Sequence, residues 1–358
     1  MATRREKCQW CGVLLLVPLQ TQTIHCPYCQ RITEFQHNTN GYFYPQVNGN
    51  FYSPPNNVYN NGISIADYPH SYRMPIQVIT HPVAHGQKRA VLCGVSYKGH
   101  QKSLKGSVND VSCMKYFLVE RMGFPSASVI VLTEEEMDPY RIPTKNNIRT
   151  ALRWLVQGCQ SGDSLVFYYS GHGSRVRDRD GDEIDGQDEA LCPVDFETEG
   201  RILDDEINVT IVRPLPRGAT LHAIIDTCFS GTFLDLRYMC GMNREGYYLW
   251  EDHRIPYTAY KGTRGGLAIS ISACDDDQNS RDITDFTGTV TGALTYSFIQ
   301  ILEREPRMTY GRLLSTMRYN IHKAQNELYS GLNATKSLQE PQLSASEQFD
   351  IHSKLIIL

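Results

Sequence analysis

From Lys88 onward the chain alternates between two hydrophobic periods. Apolar runs rich in β-branched and aromatic residues at 89–95, 129–133, 165–169, 221–225 and 267–272 have the length and composition of buried strands. Between them, Val111, Met114, Phe117, Leu118 and Met122 recur at helical spacing after Ser107-Val108-Asn109-Asp110. Ile148, Leu152, Trp154 and Leu155 do the same after Pro143-Thr144, up to Gly158. Helices are also expected at 292–302 and 310–323, and a closing strand or buried tail at 353–358. Strands alternating with helices of this length call for a mostly parallel sheet covered on both faces, an α/β fold. Between Leu236 and Gly265 the apolar pattern lapses. From 37 to 86 no period is present, and Asn, Tyr, Pro and Gly dominate; this predicts a disordered linker.

Composition narrows the class. The 358 residues are 41% hydrophobic and 21% charged, enough for a sizeable core in a soluble protein. A net charge of −4 with no basic block disfavours a nucleic-acid binder. The run Val13-Leu14-Leu15-Leu16-Val17 is too short for a secretory signal or a membrane span, so a cytoplasmic or nuclear protein is expected.

The chain has 11 cysteines. Cys8-Gln9-Trp10-Cys11 and Cys26-Pro27-Tyr28-Cys29 form two CxxC knuckles, whose four thiolates can close a tetrahedron around a structural zinc ion. Four thiolates leave no open coordination position for catalysis. A segment this small would draw its folding energy from the metal. Three regions follow: a zinc finger at 1–36, a linker at 37–86, and a folded domain at 87–358. Cys93, Cys113, Cys159, Cys192, Cys240 and Cys274 read most simply as small buried hydrophobes.

The chemistry gathers where two strands stop. The run 165–169 breaks at Ser170-Gly171-His172-Gly173, and the run 221–225 at Asp226-Thr227-Cys228-Phe229-Ser230-Gly231. In open α/β sheets chemistry collects beyond the carboxyl ends of strands, so neighbouring strands can bring His172 and Cys228 face to face. An imidazole beside a thiol activates it as a nucleophile. Cys228 would be the nucleophile and His172 would carry its proton. The backbone N–H groups of Gly173 and Cys228 are the expected oxyanion donors. No third orienting Asn or Asp is evident.

With these motifs the chain resembles the metacaspases, caspase-like cysteine peptidases of clan CD, over about residues 86–358. The finger and Asn-rich prodomain are similar to those of the plant type I members. Asp226-Thr227 stands where true caspases have a Gln-Ala pair. The resemblance implies a caspase-like fold with a large part to about 236 and a small part from about 265. It implies a zymogen that cleaves after Arg or Lys in programmed cell death. It assigns Asp226, Asp110 and Ser170 to an acidic substrate pocket, with Ser107 where relatives often have Cys, and places Cys274 near the cleft. A cationic side chain needs such a carboxylate.

The resemblance also implies an activating calcium site at Asp188, Asp204, Asp205 and Asp235. Four carboxylates with no lysine beside them in sequence would repel one another unless a hard cation neutralised them. The run 178–189 is not an EF-hand, because its sixth position is Glu183 rather than Gly and no helix flanks it. Arg237, Arg244, Lys261 and Arg264 offer sites for self-cleavage between the two parts. The expected partners are protein or peptide substrates and a protein bound by the finger, and the expected state is a monomer. The competing reading is a catalytically silent scaffold acting through the prodomain.

Overall fold

The computed structural model describes residues 3–7, 14–18, 23–25 and 32–34, and from 87 onward all but 180, 182, 184, 228–230, 244, 256–259, 273–281, 285–289, 306 and 330–339. At the N-terminus β1 (Thr3–Lys7) pairs antiparallel with β2 (Leu14–Pro18), and β3 (Thr23–His25) with β4 (Ile32–Glu34). The four knuckle cysteines and the 37–86 linker lie outside the described residues.

The remaining strands are β5 (Lys88–Gly94), β6 (Val129–Thr133), β7 (Ser164–Ser170), β8 (Gly173–Arg177), β9 (Gln187–Leu191), β10 (Ile202–Leu203), β11 (Thr220–Asp226), β12 (Tyr238–Met242), β13 (Tyr248–Asp252), β14 (Leu267–Ser272), β15 (Asp282–Thr284), β16 (Val290–Gly292) and β17 (Gln342–Ala345). The helices are α1 (Ser107–Tyr116), α2 (Lys145–Val156), the single turns α3 (Phe196–Glu199) and α4 (Asp204–Ile207), then α5 (Ala293–Arg304) and α6 (Tyr310–Tyr329).

One sheet of eight strands, in the order β13-β12-β17-β14-β11-β7-β5-β6, forms the middle layer. Its five strands from β14 to β6 are mutually parallel, and β17, β12 and β13 extend it antiparallel. Because side chains alternate across a strand, each parallel strand must be apolar at every position to be covered on both faces. Leu92, Val166, Tyr168, Ile224, Ile269 and Ile271 pack with α1, α5 and α6 through Met114, Phe298 and Leu313. Val91, Phe167, Tyr169, Leu221 and Ile225 meet α2 through Ile148, Leu152 and Leu155. Each such side chain contributes roughly 1.5–3 kcal/mol on burial.

Helix starts follow local chemistry. The Thr144 hydroxyl accepts the Asn147 N–H at 3.3 Å and caps α2. At the start of α1 the chain runs so close to β5 that a Cβ on Gly94 would lie 2.7 Å from the Ser107 carbonyl oxygen.

Several short strands fall where the hydrophobic pattern gave none. Strands β12 and β13 occupy the apparent lapse after Leu236, β8 precedes the acidic run and β9 takes in its end. The C-terminal residues form a buried tail rather than a strand. Ile356 and Leu358 are buried, Leu355 makes one bridge to Thr309, and the Lys88 ammonium donates to the Leu358 carbonyl at 2.8 Å.

Candidate active site

Strands β7 and β11 lie side by side in parallel, with Asp226 opposite Ser170. Residues 171–173 and 227 therefore leave the sheet at the same, carboxyl, end of the strands. Gly171 packs against the Tyr169 ring; a Cβ there would sit 2.7 Å from the phenol oxygen, so a larger residue would have to push that ring aside.

His172 follows, half-buried, and its ring stacks on Tyr97 with centroids 4.5 Å apart and planes at 29°. Its backbone N–H donates to the Tyr97 hydroxyl at 2.9 Å, and its carbonyl accepts the Cys192 N–H at 3.1 Å. A carbonyl can only accept, so Nε2–H of His172 donates to the Lys102 carbonyl, 2.6 Å away. In the neutral ring this leaves the lone pair on Nδ1, the nitrogen that can take a thiol proton. The orienting group missing from the sequence reading is thus a backbone carbonyl. Gly173 opens β8, and Thr227 is fully buried. Cys228 lies outside the described residues, as does Cys274.

Beneath the strand ends Asp110, Asp226, Ser170 and Ser107 are all buried. The Ser170 hydroxyl donates to Asp110 at 3.2 Å, and the Gly292 N–H lies 3.1 Å from both Asp110 oxygens. Asp226 accepts the Thr295 N–H at 3.1 Å and the Thr295 hydroxyl at 2.6 Å. The first turn of α5 thus supplies donors to two carboxylates, where its dipole favours negative charge. Burial raises the neighbouring Tyr168 phenol well above its usual range, and the charges of Asp110 and Asp226 add to that effect. Ser107 belongs to the same buried end of α1, one turn before Asp110.

A second cluster forms where the β8–β9 hairpin meets α4. Carboxylate oxygens of Asp188, Asp204 and Asp205 lie within 4.8 Å of one another. Asp188 and Asp204 are buried, and a cavity of about 470 Å³ opens over Asp188 and Asp205 between Arg177, Arg179 and Arg201. Burial, then the charges of Glu189, Asp235, Glu183 and Asp205, holds the Asp204 carboxyl well above the usual carboxylate range. Three hard oxygen donors that disfavour one another's charge fit a hard divalent cation.

Asp235 differs from the expectation of carboxylates with no lysine at hand. It is ion-paired with Lys261, which also donates to Glu183 at 2.8 Å. Burial opposes the Lys261 charge, but the Asp235 and Glu183 carboxylates outweigh it and hold the ammonium above its usual range.

Residues 88–237 match the family profile described as the metacaspase, peptidase C14 domain. Metacaspase-1 of Arabidopsis thaliana is 48% identical over 97% of this chain and 94% of that protein. Metacaspase-3 of the same plant is 55% identical over 77% of each chain. The chain belongs to the metacaspases.

It is accordingly a caspase-like cysteine peptidase acting on protein or peptide substrates. Caspase-1 from Spodoptera frugiperda overlays on 80% of the metacaspase chain and 97% of its own, with 12% identity and a TM-score of 0.45. No described helix of this metacaspase is long and apolar enough to cross a membrane. Lys261, a candidate for self-cleavage, is buried and ion-paired as folded; Arg264 is exposed, and Arg244 lies outside the described residues. Of the cysteines expected in the interior, Cys93, Cys192 and Cys240 are buried, whereas Cys113 and Cys159 are half-buried. Burial pushes the Cys240 thiol up to about 12 and Cys159 up to about 11, which disfavours the thiolate at both.

Proposed function

We propose that this metacaspase is a calcium-activated endopeptidase that cleaves after Arg or Lys through a His172–Cys228 dyad, in regulated proteolysis such as programmed cell death. The observation that carries the substrate class is the pair of buried carboxylates, Asp110 and Asp226, by the carboxyl ends of the two strands that lead into the dyad segments. A guanidinium or ammonium is the natural partner for such a pair.

Cys228 Sγ attacks the carbonyl carbon, and Nδ1 of His172 takes the thiol proton and returns it to the leaving amine. Water then hydrolyses the thioester, and the thiol is regained. Gly173 and Cys228 N–H groups receive the oxyanion. Asp188, Asp204 and Asp205 would hold calcium, with Asp235 joining them when Lys261 moves away. A calcium ion supplies the positive charge that lets these carboxylates ionise together. At the N-terminus the two CxxC knuckles, each falling in sequence between the paired strands of a hairpin, support a structural zinc held by Cys8, Cys11, Cys26 and Cys29.

The deciding experiment offers the purified protein an Arg-ending and an Asp-ending fluorogenic peptide, with and without calcium. The expected result is cleavage of the Arg peptide alone, and only with calcium. Equal cleavage in EDTA overturns the calcium reading, and preference for the Asp peptide overturns the pocket.

A further inference from the structure

The His172 ring is held by a loop whose own shape depends on one carboxylate. Leaving β5, residues 95–104 turn back on themselves, with the Leu104 N–H donating to the Ser96 carbonyl at 2.9 Å. Glu134, just past the end of β6, reaches into this loop. One of its oxygens accepts the Ser96 N–H at 2.5 Å, the Ser96 hydroxyl at 2.7 Å and the Tyr97 N–H at 2.8 Å. The other accepts the Lys98 N–H at 2.8 Å. Three consecutive amides thus converge on one half-buried carboxylate, the arrangement by which backbone nests bind anions.

The loop needs this support. Tyr97 adopts φ 51°, the left-handed region that a bulky side chain disfavours by about 1–2 kcal/mol. That backbone turns the Tyr97 side chain inward, where it is 2% exposed, under the His172 ring. Its hydroxyl donates to the Cys192 carbonyl at 2.5 Å and accepts the His172 N–H at 2.9 Å. Phe196 closes on the other ring edge at 6.0 Å, nearly perpendicular. Five residues on, the same loop presents the Lys102 carbonyl to Nε2. One loop therefore fixes both the plane of the imidazole and its tautomer.

We propose that Glu134 and Tyr97 are positioning residues for the His172 imidazole, Glu134 by shaping the loop and Tyr97 by holding the ring's face and backbone. The inference rests on the dyad reading above. When Glu134 releases the loop, Tyr97 loses its conformation and the Lys102 carbonyl drifts, so His172 no longer meets the thiol squarely. Geometry of this kind governs turnover far more than ground-state binding, and small misplacements cost on the order of 10–100-fold.

The test compares Glu134→Ala, Glu134→Gln and Tyr97→Phe with the control Glu135→Gln, an exposed neighbour paired with Lys98. Tyr97→Phe removes only the hydroxyl and keeps the ring, so it remains informative where Glu134→Ala misfolds. Two readouts are taken on full-length protein of native melting profile: kcat and KM on the Arg peptide, and the pH profile of Cys228 alkylation by iodoacetamide, followed on the Cys228 peptide by mass spectrometry. The expected result is kcat lowered on the order of 10–100-fold at Glu134→Ala with KM within about twofold. Loss should be smaller at Glu134→Gln, alkylation should move to higher pH in all three, and the control should stay as wild type. Unchanged kcat and alkylation in folded Glu134→Ala and Tyr97→Phe overturns the proposal. His172→Ala separates the two claims: if it still cleaves, the dyad reading itself has failed.

Discussion

Asp226 is 6% exposed and meets the first turn of α5 through Thr295, whose hydroxyl in turn contacts Tyr168 at 2.7 Å. Asn at this position keeps an acceptor for Thr295 but removes the charge. Asp226→Asn is expected to lower kcat/KM for the Arg peptide about 100-fold, the worth of one charge-assisted hydrogen bond, while leaving the melting temperature nearly unchanged. Steady-state kinetics beside a thermal melt checks this. A variant that melts early and cleaves normally would make Asp226 a structural support for α5.

His222, on the same strand, shows what burial does without a site. It is fully buried, contacts the Tyr310 hydroxyl at 2.6 Å, and desolvation lowers its pKa to about 4, with Lys354 adding. The unfolded chain binds that proton near 6.5, so His222's contribution is fully present above pH 6.5. It is lost as pH falls through the window from 6.5 to 4. The loss is about 3 kcal/mol at most. Melting curves across that window should steepen in the wild type and flatten in His222→Gln; an unchanged slope refutes the assignment.

At the scale of elements, the β8–β9 hairpin, α4 and the segment before β14 share one pool of charge. Lys261 joins them, with its side chain 5% exposed against Asp235 and Glu183. Removing one partner of a buried pair costs about 3–5 kcal/mol, because the other charge stays behind. Lys261→Met should therefore melt well below wild type in EDTA. Calcium should narrow the gap, since a cation that binds only the folded cluster stabilises by mass action. If the gap is the same with and without calcium, Lys261 and the metal do not compete for Asp235.

Over the whole molecule, what was legible is what burial writes into consecutive residues. Strands β5, β6, β7, β11 and β14 read as apolar runs because both of their faces are covered. His172 and Asp226 stood out because they follow two of those runs directly. Strands β9, β13 and β17 did not, because polar residues interrupt them, and β12 has a glycine and no β-branched residue. Gln187–Leu191 holds Asp188 and Glu189, which composition assigns to a loop, yet both are buried in a hairpin. The Lys102 carbonyl could not be read at all, since every residue has one. Lys261 was misjudged because only the fold carries it across 26 residues of chain to Asp235.

The order of the sheet separates being one molecule from being one chain. Strands β14 and β17, which come after the candidate cleavage sites, lie between β11 and β12, which come before most of them. A cut at Arg244 would leave Lys261 on one fragment and its carboxylate partners on the other, with a ladder of main-chain bonds running alongside. Cleaved protein should give two bands on a denaturing gel and a single peak at the uncut elution volume in gel filtration. A peptide bond lost there would change the chain's bookkeeping and leave the particle whole.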